Sequence, residues 1–413
     1  MRPKRYWIYL FPGLVDFSLA SFSFFVAVKA TQLGVSPITI GGIGSVWGTT
    51  YFASSLILSK LAKKENVYRL MMTGCLLFIL LTIGFALFNS LPFLFILTAL
   101  TGITTALFFI GFQVFMGEQN NMPLHKGIAF YTLAWSSGIA FGSLVQGILL
   151  SWGPFISLLP VFLSFIAVIF GLKLIKRGTD KSTDFPNVGG GFIRPAGLMN
   201  QAPTVRINRG IKDINSCGFQ EDPVNDRIKT AYVYVGWMSI FTATAIRMGI
   251  GFLLPNLTMT LFGFSSALAG LAIFISLMAQ ALAGFSMMKL PAWRYRLAPL
   301  FWTKLIVVIG CFLAAAFPAK ITIFTLTILV GIYSGHAYYN GVFYALNQRD
   351  KSGRNVGINE ALVGVASIVG PLTFGICLQA GVPWFMMAPA IFVLITFVAQ
   401  AILLKLRLSG SIN

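Results

Sequence analysis

The chain has 413 residues, of which 57% are hydrophobic and only 10% are charged, with a formal net charge of +19. Soluble domains carry about 25% charged residues, so a soluble core cannot bury this much apolar surface, and lipid is expected to surround most of the chain. In a soluble protein this net charge would suggest a nucleic-acid partner. In a membrane protein it is expected to collect in the loops of one side, and a nucleic-acid partner is not expected.

Long apolar runs separated by charges, prolines and glycine turns predict twelve membrane-spanning helices, since a helix needs about 20 apolar residues to cross a bilayer. In chain order the predicted spans are residues 6–29, 37–62, 67–88, 91–116, 126–151, 153–175, 230–254, 264–289, 296–317, 320–346, 355–379 and 382–405. Six precede a long polar stretch and six follow it. We therefore expect an N-terminal six-helix bundle over residues 1–175, a cytoplasmic linker over 176–229 and a C-terminal six-helix bundle over 230–413.

The polar stretch at residues 176–229 has the composition of a connecting segment. It contains four prolines, a run of three glycines and an excess of basic over acidic residues. This composition is typical of a linker, and one short helix is predicted near residues 205–215. Its charge fits contact with anionic lipid headgroups, and a solvated tether fits as well.

Basic residues lie almost entirely in the loops on one side of the predicted bundle. They are Arg2, Lys4, Arg5, Lys60, Lys63, Lys64, Arg69, Lys126, Lys289, Arg294, Arg296, Arg349, Lys351, Arg354, Lys405 and Arg407. The loops of the opposite side contain only Lys29 and Lys320 and no acidic residue. Because Lys and Arg concentrate in cytoplasmic loops, this asymmetry predicts a multi-pass protein with both termini in the cytoplasm. The expected location is a bacterial inner (plasma) membrane.

Residues 114–150 and 342–378 form a weak internal repeat at a constant offset of 228 positions. The clearest pair of segments is "GSLVQGILL" and "GPLTFGICL", which begin at Gly142 and Gly370. The repeat pairs the fifth predicted span with the eleventh, where a duplication of six helices would place it. Parallel repeats about an axis along the membrane normal are a known plan for transporters.

Twelve spans in two halves of six, joined by a long cytoplasmic loop, resemble the major facilitator superfamily over the whole chain. Between spans two and three, "SKLAKKEN" retains Leu61 and Ala62 of that family's signature, with Lys63 in place of its aspartate. The fifth span is similar to the glycine-rich motif of the family's exporters, although Ser143 and Gln146 stand where proline and glycine are usual. The resemblance implies an all-α polytopic fold of two pseudo-symmetric six-helix bundles that transports solutes by alternating access.

Charged side chains inside predicted spans are costly in lipid, so each one is a functional hypothesis. They are Asp16 in span one, Arg247 in span seven, Lys304 in span nine and Glu360 near the start of span eleven. The resemblance implies that spans one, four, seven and ten line a central cavity and that span nine supports it from outside. Asp16 and Arg247, with His336 and Asn340 of span ten, are therefore expected at the cavity, and Lys304 away from it.

Asp16 is predicted to carry a coupling proton or to pair with a cationic group, and a structural ion pair or an interhelical hydrogen bond is the alternative. Arg247 is a permanent cation that needs a partner, which could be a carboxylate or phosphate of the substrate, Asp16 or a backbone carbonyl. His336 fits a proton shuttle, and equally a packed polar residue.

Aromatic residues in spans five and ten are candidate cavity walls, namely Trp135, Tyr338 and Tyr339, with simple packing as the alternative. Near the start of span eleven, Glu360 is predicted to act as a cytoplasmic gate that pairs with a loop cation such as Arg354. A purely structural role at the helix start, where Asn355 would be the N-cap, is the alternative.

Together these features predict a secondary active transporter of a small organic solute, anionic or zwitterionic, coupled to protons. A multidrug-type efflux antiporter and a non-transporting sensor built on a transporter scaffold are the alternatives. We do not expect an enzyme, because the only histidines are His125 and His336 and the chain has no HExxH or paired intramembrane Asp motif. The absence of a GxxxxGK[ST] motif argues against direct ATP-driven pumping. No cofactor, metal or disulfide is expected, and the chain is expected to be a monomer.

Overall fold

The computed structural model describes residues 6–62, 65–88, 90–117, 124–180, 226–290, 293–346 and 352–409. These parts of the chain contain twelve long α-helices and no β-strand, which confirms the predicted all-α architecture. The helices are α1 (Leu10–Gln32), α2 (Pro37–Leu61), α3 (Val67–Leu87), α4 (Leu91–Gly117), α5 (Leu124–Leu149), α6 (Pro154–Asp180), α7 (Asp226–Leu261), α8 (Ser266–Ser286), α9 (Leu297–Ala316), α10 (Lys320–Leu346), α11 (Ser352–Ala380) and α12 (Val382–Ser409).

Predicted and observed helix ends differ by only a few residues at most positions. The largest difference is in α7, which continues through Pro255 to Leu261. Prolines are tolerated in membrane helices because neighbouring groups, Ser and Thr side chains among them, satisfy the backbone. The Thr258 hydroxyl donates to the Leu254 carbonyl (2.8 Å) in the turn around this proline.

The start of α11 differs from the prediction. The helix begins at Ser352, so Asn355 lies in its first turn and is not the N-cap. The Asn355 amide instead donates to the backbone carbonyl of Ala345 in α10 (3.3 Å), which ties the start of α11 to its neighbour. The short helix predicted near residues 205–215 lies outside the described residues.

Eleven of the described helices are long and apolar enough to cross a membrane. The remaining long helix is α2, whose sequence includes the polar run "GTTYFASS". That helix packs along α4 and α11, so protein surrounds a large part of its surface. Large apolar side chains elsewhere point outward, such as Leu80 on α3 and Ile395 on α12, which are 63% and 65% exposed. The arrangement is that of a multi-pass integral membrane protein.

The six helices before residue 181 and the six after residue 225 make the same set of contacts. In the first half, α1 packs on α5 and α6, α2 packs on α4, and α3 packs on α4 and α6. In the second half, α7 packs on α11 and α12, α8 packs on α10, and α9 packs on α10 and α12. The halves meet mainly along two helix pairs, which we call the α2–α11 seam and the α5–α8 seam.

Glycines allow the closest approach within the first half. A Cβ atom at Gly138 or Gly142 of α5 would overlap the backbone carbonyl of Gly13 or Phe17 in α1. Small residues spaced four apart let membrane helices pack at backbone contact. These contacts fix α1 and α5 against each other, and both helices contribute to the cavity described below.

The two ends of the bundle differ in charge. We call the end bearing Lys60, Lys126, Lys289 and Lys405 the basic side, and the opposite end the far side. On the far side the two halves contact each other where Asn256 of α7 donates to Thr31 of α1 (3.2 Å). On the basic side they contact through Phe130 of α5 and Phe285 of α8, whose ring centroids are 6.2 Å apart. The central cavity lies between these contacts.

Candidate functional site

A cavity of about 860 Å³, counting space open to solvent, lies between the two halves of the bundle. Helices α1, α2, α5, α7, α8 and α10 all contribute to its wall. The wall is mostly apolar, with Leu19, Phe24, Trp47, Ile139, Phe252 and Leu277 among its members. Its charged residues are Asp16 and Arg247, one from each half.

The guanidinium of Arg247 lies against two aromatic rings. Its Cζ atom lies 5.6 Å from the ring centre of Trp135 and 5.9 Å from that of Tyr338. Its Nε donates to the Tyr338 hydroxyl (3.2 Å), which also hydrogen-bonds to Thr244 (2.7 Å). The two rings meet edge to face at 5.0 Å. Cation–π contacts and the Tyr338 hydrogen bond therefore fix the position of the cation, and we call Trp135 and Tyr338 the aromatic cage.

Asp16, on α1, lines the same cavity as Arg247 and is 9% exposed. Its nearest charge among the described residues is Arg247, with which it interacts electrostatically. No ion pair or hydrogen bond joins the Asp16 carboxylate to another side chain in the described part of the chain. The carboxylate and the guanidinium therefore face one cavity as separate charges of opposite sign, and each retains free hydrogen-bonding capacity.

The structure brings Trp135 to the site but places Tyr339 elsewhere. Tyr339 is 1% exposed and packs edge to face against Trp293, with ring centroids 5.5 Å apart. On α10 the adjacent residue, Tyr338, turns toward Arg247 instead. Consecutive helical residues point about 100° apart, so Tyr338 can contact Arg247 while Tyr339 points elsewhere.

His336 and Asn340 lie in the interior of the second half and do not belong to the cavity wall. Both are buried, and the Asn340 amide is 3.1 Å from His336 Nδ1. The cavity wall contributed by α10 is formed by Val330 and Ser334. The His336 ring is therefore occupied by a neighbour one turn away on its own helix.

Lys304 also lies away from the cavity, as the resemblance implied. It is 3% exposed, and its ammonium group donates to the Gln400 side chain of α12. Gln400 in turn donates to the Val235 carbonyl (2.8 Å) and the Ser239 hydroxyl (2.9 Å) of α7. This chain of hydrogen bonds ties α9, α12 and α7 together.

Glu360 lies at the α2–α11 seam on the basic side. Its Oε2 accepts a hydrogen bond from the Tyr51 hydroxyl of α2 (3.2 Å), and Gln113 of α4 is a second hydrogen-bonding partner. Arg354 lies in the first turn of α11, and its side chain is outside the described part of the structure. The contact made by Glu360 therefore joins the two halves through a neutral phenol.

Several polar residues near these groups were missed by the sequence reasoning. Gln280 of α8 lines the cavity and donates to the Ser136 hydroxyl of α5 across the α5–α8 seam (2.8 Å). Tyr51 and Gln113 hold Glu360. An available signal was the presence of amide side chains inside apolar spans, where polar groups are costly and mark functional positions.

In the described residues, no group of three or more His, Cys, Asp or Glu side chains is arranged to hold a metal ion. The site therefore offers two opposite charges, aromatic rings and hydroxyl and amide groups. That combination suits non-covalent recognition of a small charged molecule.

The family model for the Major Facilitator Superfamily matches residues 9–346 of the chain. Among solved structures, a bacterial homologue of the human lysosomal transporter Spinster, in an inward-facing and unoccupied conformation, is similar at a TM-score of 0.59 and 14% identity, covering 98% of this chain and 96% of that one. The human organic anion transporter MFSD10 (TETRAN) is similar at a TM-score of 0.62 and 14% identity, covering 97% and 100%. No curated protein matches by sequence.

Proposed function

Because the chain belongs to the major facilitator superfamily, we propose that it is a secondary active transporter that carries a small organic anion or zwitterion by alternating access, coupled to protons. The two moving bodies are residues 1–175 and 230–413, joined by the linker 176–229. A cavity between two repeat-related halves supports this proposal, since rocking of one half against the other exposes such a site to either side in turn.

The substrate class rests on the Arg247 cage. A caged guanidinium with free donors suits a carboxylate or phosphate, because its planar group can form two parallel hydrogen bonds. Asp16 in the same cavity suits an ammonium group, so a zwitterion could contact both charges. The similar human structure is named an organic anion transporter, but at 14% identity the likeness concerns the fold alone. Arg247 is the feature of this chain that supports an anionic substrate.

A thermal-shift screen of purified protein against anionic, zwitterionic and cationic metabolites tests this class, because a ligand that binds only the folded state raises the melting temperature. We expect anions or zwitterions to stabilise the wild type and to lose this effect in Arg247→Gln. The matched control is Arg294→Gln, since Arg294 also lies over aromatic rings, 5.2 Å from the centre of Phe343, but outside the cavity wall. Stabilisation by cations alone would contradict the proposal.

The mostly apolar cavity wall favours a second candidate, a multidrug-type efflux antiporter. The two candidates differ in the direction of coupled movement. Proteoliposomes with an imposed proton gradient distinguish them: uptake down the proton gradient supports symport, and movement of a hydrophobic compound against it supports antiport. Binding with no accumulation in either direction would support the sensor alternative.

We also propose that the basic side faces the cytoplasm of a bacterial cell, with both termini there and the chain a monomer. Reporter fusions at either end of the chain, active only on one side of the membrane, test the orientation. Light scattering of the detergent-solubilised protein tests the oligomeric state. A reporter active outside the cytoplasm would reverse the assignment of sides.

A further inference from the structure

Glu360 is a carboxylate from the second half that is held by neutral groups of the first. Tyr51 is buried and donates to it from α2, and Gln113 approaches it from α4. Glu360 itself is half-buried. Placed in this way, the carboxylate loses much of its hydration, and its hydrogen-bonding partners in the described part of the chain are neutral.

The titratable groups facing Glu360 are two phenols, Tyr51 on α2 and Tyr131 on α5. From α7, α10 and α12, which also pack against α11, no charged side chain of the described chain interacts with it. Asp16 differs in this respect, because Arg247 faces it across the cavity. Burial disfavours the charged form of a carboxyl group, so its protonation changes when its exposure to water changes.

Tyr131 connects the two carboxylates. It lies within electrostatic range of both Asp16 and Glu360, and it hydrogen-bonds with Gln113. Gln113 in turn reaches Glu360. The order Asp16, Tyr131, Gln113, Glu360 is therefore a polar connection from the central cavity to the basic side of the α2–α11 seam.

We propose that Glu360 is the proton-binding site of the transport cycle, distinct from the Asp16–Arg247 pair, which contacts the solute. This inference rests on the proposed proton-coupled transport. While the seam is closed, burial disfavours the charged carboxylate and the proton is retained. When the seam opens on the basic side, water enters, the O–H bond of Glu360 breaks with its electron pair left on the carboxylate, and the proton passes to water. Protonation therefore stabilises the closed seam.

A pair of spin labels across the seam tests this proposal without a known substrate. The labels are placed at Lys60→Cys on α2 and Gly357→Cys on α11, both exposed, in a background lacking the four native cysteines. Distances are measured by pulsed electron spin resonance in lipid nanodiscs from acidic to alkaline pH. In the otherwise wild-type chain we expect the label distance to increase at alkaline pH.

Three variants separate Glu360 from the other groups. In Glu360→Gln, which mimics the protonated carboxyl, the short distance should persist at every pH. Asp16→Asn should retain the full pH response. Tyr51→Phe removes a donor that favours the ionised form, so the midpoint of opening should move to higher pH by about one unit, a tenfold change in proton affinity.

Several results would overturn the proposal: no pH response in the wild type, a response that persists in Glu360→Gln, or one that is lost in Asp16→Asn. If Glu360→Gln does not fold, as judged by size-exclusion chromatography, Glu360→Asp replaces it. The shorter side chain moves the carboxyl away from Tyr51, so a shifted midpoint supports the proposal and an unchanged midpoint contradicts it.

The outcome is independent of the transport assay. If the distances depend on Glu360 as expected but no solute accumulates in proteoliposomes, the proton site stands and the proposed transport function fails. If an organic anion accumulates but the Glu360 variants show the same pH-dependent label distances as the wild type, the transport function stands and the proposed proton site fails.

Discussion

Replacing Gly48 by alanine tests how closely α2 and α11 must approach for the bundle to adopt the observed arrangement. A Cβ atom at Gly48 would lie 2.6 Å from the carbonyl carbon of Ser367, 2.7 Å from its oxygen and 2.8 Å from the nitrogen of Ile368. All three atoms belong to the backbone of α11, which cannot rotate away as a flexible side chain would. The helices must therefore separate to accommodate the methyl group.

The size of the effect follows from these distances. Restoring ordinary contact requires a shift of about 0.8 Å between the two helices, and inserting a methylene-sized group into a packed interface costs about 1–3 kcal/mol. This energy applies to the closed seam and is absent where the seam is open. The closed population should therefore fall about 5- to 150-fold relative to the open one.

Gly42→Ala is the matched control on the same helix. Its new Cβ atom would meet only the Phe95 ring, at 3.9 Å, which is ordinary contact. The assay is the spin-label distance between positions 60 and 357 at fixed pH, together with the melting temperature of the purified protein. We expect Gly48→Ala to lengthen the distance and Gly42→Ala to leave it unchanged. Equal behaviour of the two variants would refute the reasoning.

Three further predictions concern the charged and polar groups. Arg247→Lys keeps the charge but loses the planar fork and its stacking in the aromatic cage, so an anionic ligand should bind about tenfold more weakly in titration calorimetry, and Arg294→Lys should bind it normally. Gln400→Leu leaves the buried ammonium of Lys304 without its acceptor and should cost about 3 kcal/mol of stability, seen as a large fall in melting temperature that Lys304→Met does not match. His336→Gln should leave the pH dependence of transport unchanged, because the His336 ring contacts Asn340 of its own helix and lies outside the cavity wall. A shifted pH profile in this variant would instead support a proton-shuttle role for His336.

Hydropathy and charge were sufficient to predict the architecture. The requirement for about 20 apolar residues per span accounts for eleven of the twelve long helices in the described part of the chain, and the predicted limits of the tenth span, 320–346, coincide with α10. The seventh span was predicted to end before Pro255, because proline usually ends a helix in water. A membrane helix tolerates proline, and α7 continues to Leu261. The error at Asn355 arose because its side chain bonds another helix, which no local pattern reveals.

The site was predicted less completely because helix rotation and tertiary contact decide it. A charge inside a span identifies Asp16 and Arg247, since lipid penalises both wherever they point. Tyr338 and Tyr339 are adjacent and chemically identical, so the sequence offers no means of choosing between them. Tyr51 carries no signal as a partner of Glu360, because the two residues are 309 positions apart and meet only when the halves pack.

The aromatic cage is assembled from opposite halves of the molecule: Trp135 belongs to α5 and Tyr338 to α10. Any movement that parts the halves at this level withdraws one ring from Arg247 and lets water reach the guanidinium. A hydrated cation attracts an anion less strongly than a desolvated one. In the proposed transport cycle, the movement that opens the cavity would therefore also weaken the attraction of Arg247 for an anionic solute.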